Sequence, residues 1–114
     1  MSATISSHVL DTSRGKPAAG VHVTLEHKDA RGHWVKVGEA DTDHDGRVRS
    51  AVPAHHRVEL GVYRLTFDTG AYAREQLAET FFPEVSIVFE IKEATHHHVP
   101  LLLSHYGYST YRGS

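Results

Sequence analysis

The feature that most constrains this chain is the alternation of apolar and polar residues in short runs bounded by turn formers. Val21, Val23 and Leu25 alternate with His22 and Thr24, and Tyr63, Leu65 and Phe67 alternate with Arg64 and Thr66. Val85, Ile87, Phe89 and Ile91 alternate with Ser86, Val88 and Glu90. A period of two sends successive side chains to opposite faces of a sheet, so each run reads as a strand with one face on a core. Gly15-Lys16-Pro17, Asp29 to Gly32, Asp45-Gly46, Gly61, Gly70, Pro83 and Gly107 punctuate the runs. Short strands at this spacing predict an all-β sandwich or barrel. The pattern places strands near residues 4–10, 20–28, 33–40, 47–50, 58–68, 84–92, 97–104 and 106–112. It places one helix over Ala71–Glu79, where Ala71, Ala73, Arg74, Glu75, Gln76, Leu77 and Ala78 are good helix formers.

One segment breaks the alternation. In His98-Val99-Pro100-Leu101-Leu102-Leu103 both strand faces are apolar. Proline cannot donate to a ladder, so this strand is expected at a sheet edge or at a bulge. An edge with two apolar faces invites aggregation unless something covers it. A second subunit is the expected cover, which predicts an oligomer; a loop or the helix is the alternative.

At 114 residues and 12.7 kDa the chain is the size of one domain, taken as residues 1–114. Its formal charge is −2, with no cationic excess to condense onto phosphates, which argues against nucleic acid as a partner. No apolar run approaches the roughly 20 residues of a membrane helix. Met1 to Leu10 carries no basic stretch followed by an apolar run. The cytoplasm is therefore the expected location, with no membrane partner. Cysteine is absent, which excludes a disulfide framework, a thiolate zinc site and a cysteine nucleophile. Histidine is abundant, with eleven copies, which fits metal binding, a pH response, catalysis or mere drift.

No Gly-x-Ser-x-Gly elbow is present for a serine nucleophile. His96 and His98 would project from one strand face, a usable ligand spacing, and His55-His56 is a second pair. No carboxylate or cysteine partner is set by spacing, so these read as solvated or hydrogen-bonded histidines, and no metal or other cofactor is expected. General base catalysis by histidine with an arginine clamp remains. A neutral imidazole takes a proton near pH 7, and a guanidinium holds an anionic or carbonyl-rich substrate through paired hydrogen bonds. His8, inside Ser6-Ser7-His8-Val9-Leu10-Asp11, and Arg47, after the Asp45-Gly46 turn, are polar groups on strand-like segments. By pattern alone each reads as a structural or solvated side chain rather than a catalytic one.

Four stretches carry a family resemblance: Ser7-His8-Val9-Leu10-Asp11-Thr12, Asp45-Gly46-Arg47-Val48, Tyr63 to Tyr72, and the tail from His96 to Ser114 ending in Tyr111-Arg112-Gly113-Ser114. Over residues 4–114 the chain resembles the 5-hydroxyisourate hydrolases of the transthyretin-related family. The resemblance implies a Greek-key sandwich of two four-stranded antiparallel sheets with one short helix. It implies a homotetramer, a dimer of dimers with a central channel. It implies that His8, Arg47 and His98 are catalytic and that Tyr111, Arg112, Gly113 and Ser114 line the same pocket. His98 is the match among the three tail histidines because it directly precedes Val99-Pro100-Leu101-Leu102-Leu103. His96 also matches a position that is commonly histidine, without a catalytic assignment. Two residues depart from the family: His97 stands where tyrosine is usual, and His105 where proline is. His97 is expected to face away from His98, at the surface.

The implied reaction is hydrolytic opening of a cyclic amide in urate (purine) breakdown. Water attacks C6 of 5-hydroxyisourate, the N1–C6 bond breaks, and 2-oxo-4-hydroxy-4-carboxy-5-ureidoimidazoline forms. His98 and His8 would position and deprotonate the water, and Arg47 would hold the developing oxyanion. Spacing leaves open which histidine is the base. Two rival classes remain: a transthyretin-like carrier of small aromatic ligands without turnover, and a histidine-rich metal-binding protein. Turnover separates the first and metal content the second.

Overall fold

In a computed structural model, which describes residues 2–114, the alternating runs form a two-layer all-β sandwich with one short helix. The strands are β1 (Thr4–Asp11), β2 (Lys16–Pro17), β3 (His22–Lys28), β4 (Trp34–Asp41), β5 (Arg47–Val48), β6 (Gly61–Phe67), β7 (Val85–Ile91), β8 (His96–Leu103) and β9 (Tyr108–Thr110). The helix, α1, spans Thr69–Glu75 between β6 and β7.

One layer has the order β4-β3-β6-β7, and all its pairs are antiparallel. The other has the order β2-β1-β8-β9, with β5 pairing β1. This second layer holds five strand segments rather than four. Its central pair, β1 with β8, is parallel, from Thr4↔His96 to Asp11↔Leu103. Parallel pairing needs a long crossover, and here all four strands of the other sheet lie between the two strands in the chain.

The core is what the alternation predicts. Ile5 and Val9 of β1, Val23 and Leu25 of β3, Leu65 and Phe67 of β6, and Leu101 of β8 are almost wholly buried. Each such side chain contributes about 1.5–3 kcal/mol of transfer free energy. The polar members of these strands therefore face outward, and the outward face of the β1/β8 sheet carries the histidines.

One expectation about β8 needs correction. The strand is not an edge; it lies between β1 and β9. Leu101 pairs with Thr110, and His98 bridges Gly113 in the same register, so the ladder is interrupted at Pro100 rather than ended. Proline lacks the donor for that one position, and Thr110 Oγ1 instead donates to the Pro100 carbonyl at 2.7 Å. The two-faced apolar run is also largely covered from within: Val99, Pro100, Leu101 and Leu103 are buried, and Leu102 is half-buried.

The helix starts two residues earlier than predicted and ends four earlier. Asp68 caps it, its carboxylate accepting the Ala71 N–H at 3.0 Å. It stops because Leu77 turns into the left-handed region at φ 53 and points its side chain, 96% exposed, into solvent. Tyr72 docks the helix on β1 by donating its hydroxyl to the buried Asp11 carboxylate at 2.8 Å. The strand predicted at 58–68 begins only at Gly61, and that at 106–112 shrinks to Tyr108–Thr110. The two-residue β2 had no predicted counterpart. His97 faces away from His98 as expected, but it is buried at 4% exposure, not at the surface.

Candidate active site

The outward face of the β1/β8 sheet is built by register. His8 on β1 pairs with Arg47 on one side and with Pro100 on the other, and Ser6 pairs with His98. Period two keeps Thr4, Ser6 and His8 on one face of β1, level with His96, His98 and Pro100 on β8. The Asp45-Gly46 turn delivers Arg47. Gly46 has φ +75, and a Cβ there would lie 2.4 Å from the Val9 carbonyl oxygen, so only glycine permits the approach. Val9 N–H donates to the Gly46 carbonyl at 2.7 Å, and Asp43 Oδ1 accepts the Arg47 N–H at 2.9 Å.

A cleft of about 280 Å³ opens over this face, lined by Ser6, Arg47, Arg49, His96, His98 and Ser114, with Ser7 and Val48 at its floor. No carboxylate side chain lines it. His98 is half-buried, and its Nδ1 lies 2.7 Å from Ser6 Oγ. Burial pushes its pKa below 6.5, and the neighbouring His96, His8 and Arg47 push the same way. His98 is therefore a neutral imidazole near pH 7. His8 donates its Nε2–H to the Asp45 carbonyl at 2.8 Å, which leaves Nδ1 as the lone-pair nitrogen of the neutral ring.

The tail divides. Gly113 N–H donates to the His98 carbonyl at 2.8 Å, and a Cβ on Gly113 would lie 2.5 Å from His98 Cδ2. Glycine thus lets the tail lie flat against the imidazole and bring Ser114 to the cleft. Tyr111 and Arg112 do not reach it within one chain. They line a second cavity of about 240 Å³ with Ile87, Phe89, His97 and Val99. The Arg112 guanidinium lies 3.6 Å from Glu93, an exposed pair.

The structure thus gathers His8, Arg47, His98, Gly113 and Ser114 on one face, and sets Tyr111 and Arg112 elsewhere. Sequence reasoning missed Ser6 and Arg49 as cleft residues and gave His96 no role there. Each lies two residues from a predicted site residue on the same strand or its extension, so the period-two rule carried the signal. His105, where proline is usual, donates its N–H to Ser13 Oγ at 3.3 Å, a bond that proline could not make.

For metals, the ligand atoms of Asp43, His44 and Asp45 lie within 4.8 Å of one another. Asp43 Oδ1 is already spent on the Asp45 and Arg47 N–H groups, so this cluster shapes the turn. His96 and His98 share a face, but Ser6 Oγ sits between their rings. His55 and His56 lie exposed in the loop before β6.

Comparison with known proteins shows the family and the fold. The HIUase/Transthyretin family profile matches residues 5–113. A 5-hydroxyisourate hydrolase of Salmonella typhimurium is 48% identical over 111 residues, covering 96% of this chain and 80% of the relative. Among solved structures, Klebsiella pneumoniae 5-hydroxyisourate hydrolase superposes with a TM-score of 0.84 at 35% identity, covering 97% of this chain and 99% of that one. Transthyretin from Sparus aurata superposes with a TM-score of 0.88 at 29% identity, covering 96% of both chains.

Proposed function

The chain belongs to the HIUase/Transthyretin family, and from that premise we infer that it is a 5-hydroxyisourate hydrolase acting in urate degradation. The observation that carries this reading is the half-buried His98 in a cleft with no acidic side chain, beside Arg47 and His8.

The mechanism follows from those groups. The neutral His98 takes a proton from water through Nε2, the nitrogen left free when Nδ1 bonds Ser6. Hydroxide adds to C6 of the cyclic amide. Arg47 stabilises the oxyanion as it develops, in a site with no acidic side chain to compete for it. The N1–C6 bond then breaks and N1 takes up a proton. His8, anchored through Asp45, orients the water with its free Nδ1. Gly113 and Ser114 close the cleft over the ring, and Tyr111 and Arg112 hold the tail in place from the opposite side. The scheme uses no covalent intermediate and calls on no cofactor.

A transthyretin-like carrier shares the fold, and the 29% identity to a fish transthyretin supports that alternative less well than the 48% identity to a hydrolase. The expected homotetramer, a dimer of dimers, is part of the proposal. The free edge of β7 and the exposed Phe81, Val88 and Tyr108 support it, and sedentation of the purified protein by analytical ultracentrifugation tests it. The cytoplasmic location is tested by fractionation of expressing cells. No helix among the described residues is long and apolar enough to cross a membrane.

The deciding assay follows the ultraviolet decay of 5-hydroxyisourate made freshly from urate by urate oxidase, with spontaneous decay as control. Decay accelerated in proportion to the protein, and lost in His98→Asn, is expected. Decay at the background rate would overturn the reading in favour of a binding protein.

A further inference from the structure

The cleft contains a chain of hydrogen bonds of which the scheme above uses only the first, between His98 and Ser6. Ser6 Oγ lies 2.7 Å from His98 Nδ1 and 2.9 Å from His96 Nε2, and Thr4 Oγ1 lies 2.5 Å from His96 Nδ1. The parallel register builds it, pairing Thr4 with His96 and Ser6 with His98. Ser6 is buried, whereas Thr4 and His96 are exposed, so the chain runs from the cleft to solvent.

The serine hydroxyl has one proton, so it donates to one imidazole and accepts from the other. A consistent chain therefore has two polarities. In the first, His98 Nδ1–H donates to Ser6, Ser6 O–H donates to His96 Nε2, and His96 Nδ1–H donates to Thr4. His98 Nε2 is then bare and can act as a base. In the second, every bond is reversed and His98 Nε2 carries a proton that it can give away.

We propose that Ser6 and His96 are positioning residues that, with Thr4, form a proton relay setting the tautomer of His98 and carrying its excess proton to solvent. The need for it is electrostatic. An imidazolium at His98 would form beside Arg47, Arg49 and His8 with no acidic side chain lining the cleft. The relay avoids that charge. As water gives a proton to His98 Nε2, the Nδ1 proton passes to Ser6 Oγ and the Ser6 proton to His96 Nε2. The His96 Nδ1 proton passes to Thr4 Oγ1, and the Thr4 hydroxyl proton passes to solvent water. One proton enters, one leaves, and each group ends neutral. His98 Nε2–H then protonates N1 as the C6–N1 bond breaks, and a solvent proton returns along the chain to restore the first polarity. The arrangement parallels the orienting acid of a catalytic triad, with a hydroxyl and a second imidazole in its place.

The role in turnover rests on the hydrolase reading; the tautomer does not, so the test reads both. Nitrogen-15 NMR of the imidazoles at neutral pH should find the His98 proton on Nδ1 in the unmodified protein. In Ser6→Ala it should move mainly to Nε2, the form that unconstrained histidine favours. In the same variant kcat should fall at least tenfold with KM within about twofold, and Ser6→Thr should restore both readouts. His96→Asn, which cuts the chain at its exposed end, should lower kcat in the same direction. A His98 tautomer unchanged in Ser6→Ala, or a kcat within twofold of the unmodified protein, would overturn the relay. Absent hydrolysis by the unmodified protein would instead sink the hydrolase reading, and the tautomer measurement would still decide the chain.

Discussion

The two outer faces of the sandwich carry clefts of nearly equal size, about 280 Å³ over β1 and β8 and about 270 Å³ over β3, β6 and β7. Their charges are managed in opposite ways. On the second face Arg64 meets Glu26 at 2.6 Å and lies over the Trp34 ring at 4.4 Å. Nearby, His22 bonds Asp41 at 2.7 Å and Glu39 at 2.9 Å, and Glu39 also pairs with Lys36. On the first face Arg47, Arg49, His96 and His98 share a cleft with no carboxylate side chain. A paired surface has spent its charge internally. An unpaired one keeps it for a ligand, at the expense of self-repulsion. Histidine reports the difference: the carboxylates raise the His22 pKa above 6.5, while burial and cationic neighbours lower that of His98.

Breaking the unpaired face has the largest expected effect. His98→Asn should lower kcat by about 10²–10⁴, the usual worth of a positioned general base. Arg47→Gln should lower it by about 10²–10³, as for loss of one oxyanion donor. Arg64→Gln, on the paired face, should leave kcat within about twofold and reduce stability by about 1 kcal/mol, read from denaturant melts.

The two cleft glycines sharpen the comparison by separating stability from activity. Gly46→Ala places a Cβ 2.4 Å from the Val9 carbonyl at a positive φ, and should destabilise the fold by about 2–3 kcal/mol. Gly113→Ala pushes on the His98 ring instead, and should lower kcat about tenfold, equivalent to about 1.4 kcal/mol of barrier, with a nearly unchanged melt.

The pH responses are smaller and of opposite sign. If His98 is the base, activity is lost as pH falls through its lowered pKa, so the acid limb of kcat should have its midpoint below pH 6.5. The groups acting on it are His96 along β8, His8 on β1 and Arg47 on β5. A midpoint above 6.5 would remove His98 as the base. His22 contributes to stability instead. Its raised pKa makes that contribution complete below pH 6.5 and lost as pH rises through the folded value. The pair is half exposed, so the loss should stay under about 1 kcal/mol, and His22→Gln should abolish it in melts recorded from pH 5 to 9.

How far the site was legible depends on which physical signal each residue carried. His8, Arg47 and His98 were singled out through the family resemblance of the motifs around them, since alternation alone does not separate a catalytic side chain from a solvated one. Ser6, Arg49 and His96 were missed as cleft residues, although alternation puts them on the face of His8, Arg47 and His98. Pro100 was assigned to an edge because proline lacks a donor, yet one missing donor interrupts only one position of one ladder. His97 was assigned to the surface as a departure from the family facing away from His98, yet that face turns into the sandwich beside Val99. Arg112 was grouped with Ser114 through the family resemblance of the tail, but within one chain Arg112 lines the second cavity while the His98↔Gly113 bridge brings Ser114 to the cleft.

By itself the sequence determined the all-β class, most strand positions, the core residues and the family, because these depend on local periodicity, turn chemistry and motifs. Tertiary structure alone decided that β1 and β8 run parallel in register, which puts Ser6 between two imidazoles. It also decided which cations go unpaired and which half of the tail reaches the cleft. Those are properties of residues some ninety positions apart in the chain meeting across one sheet, and no local pattern carries that information.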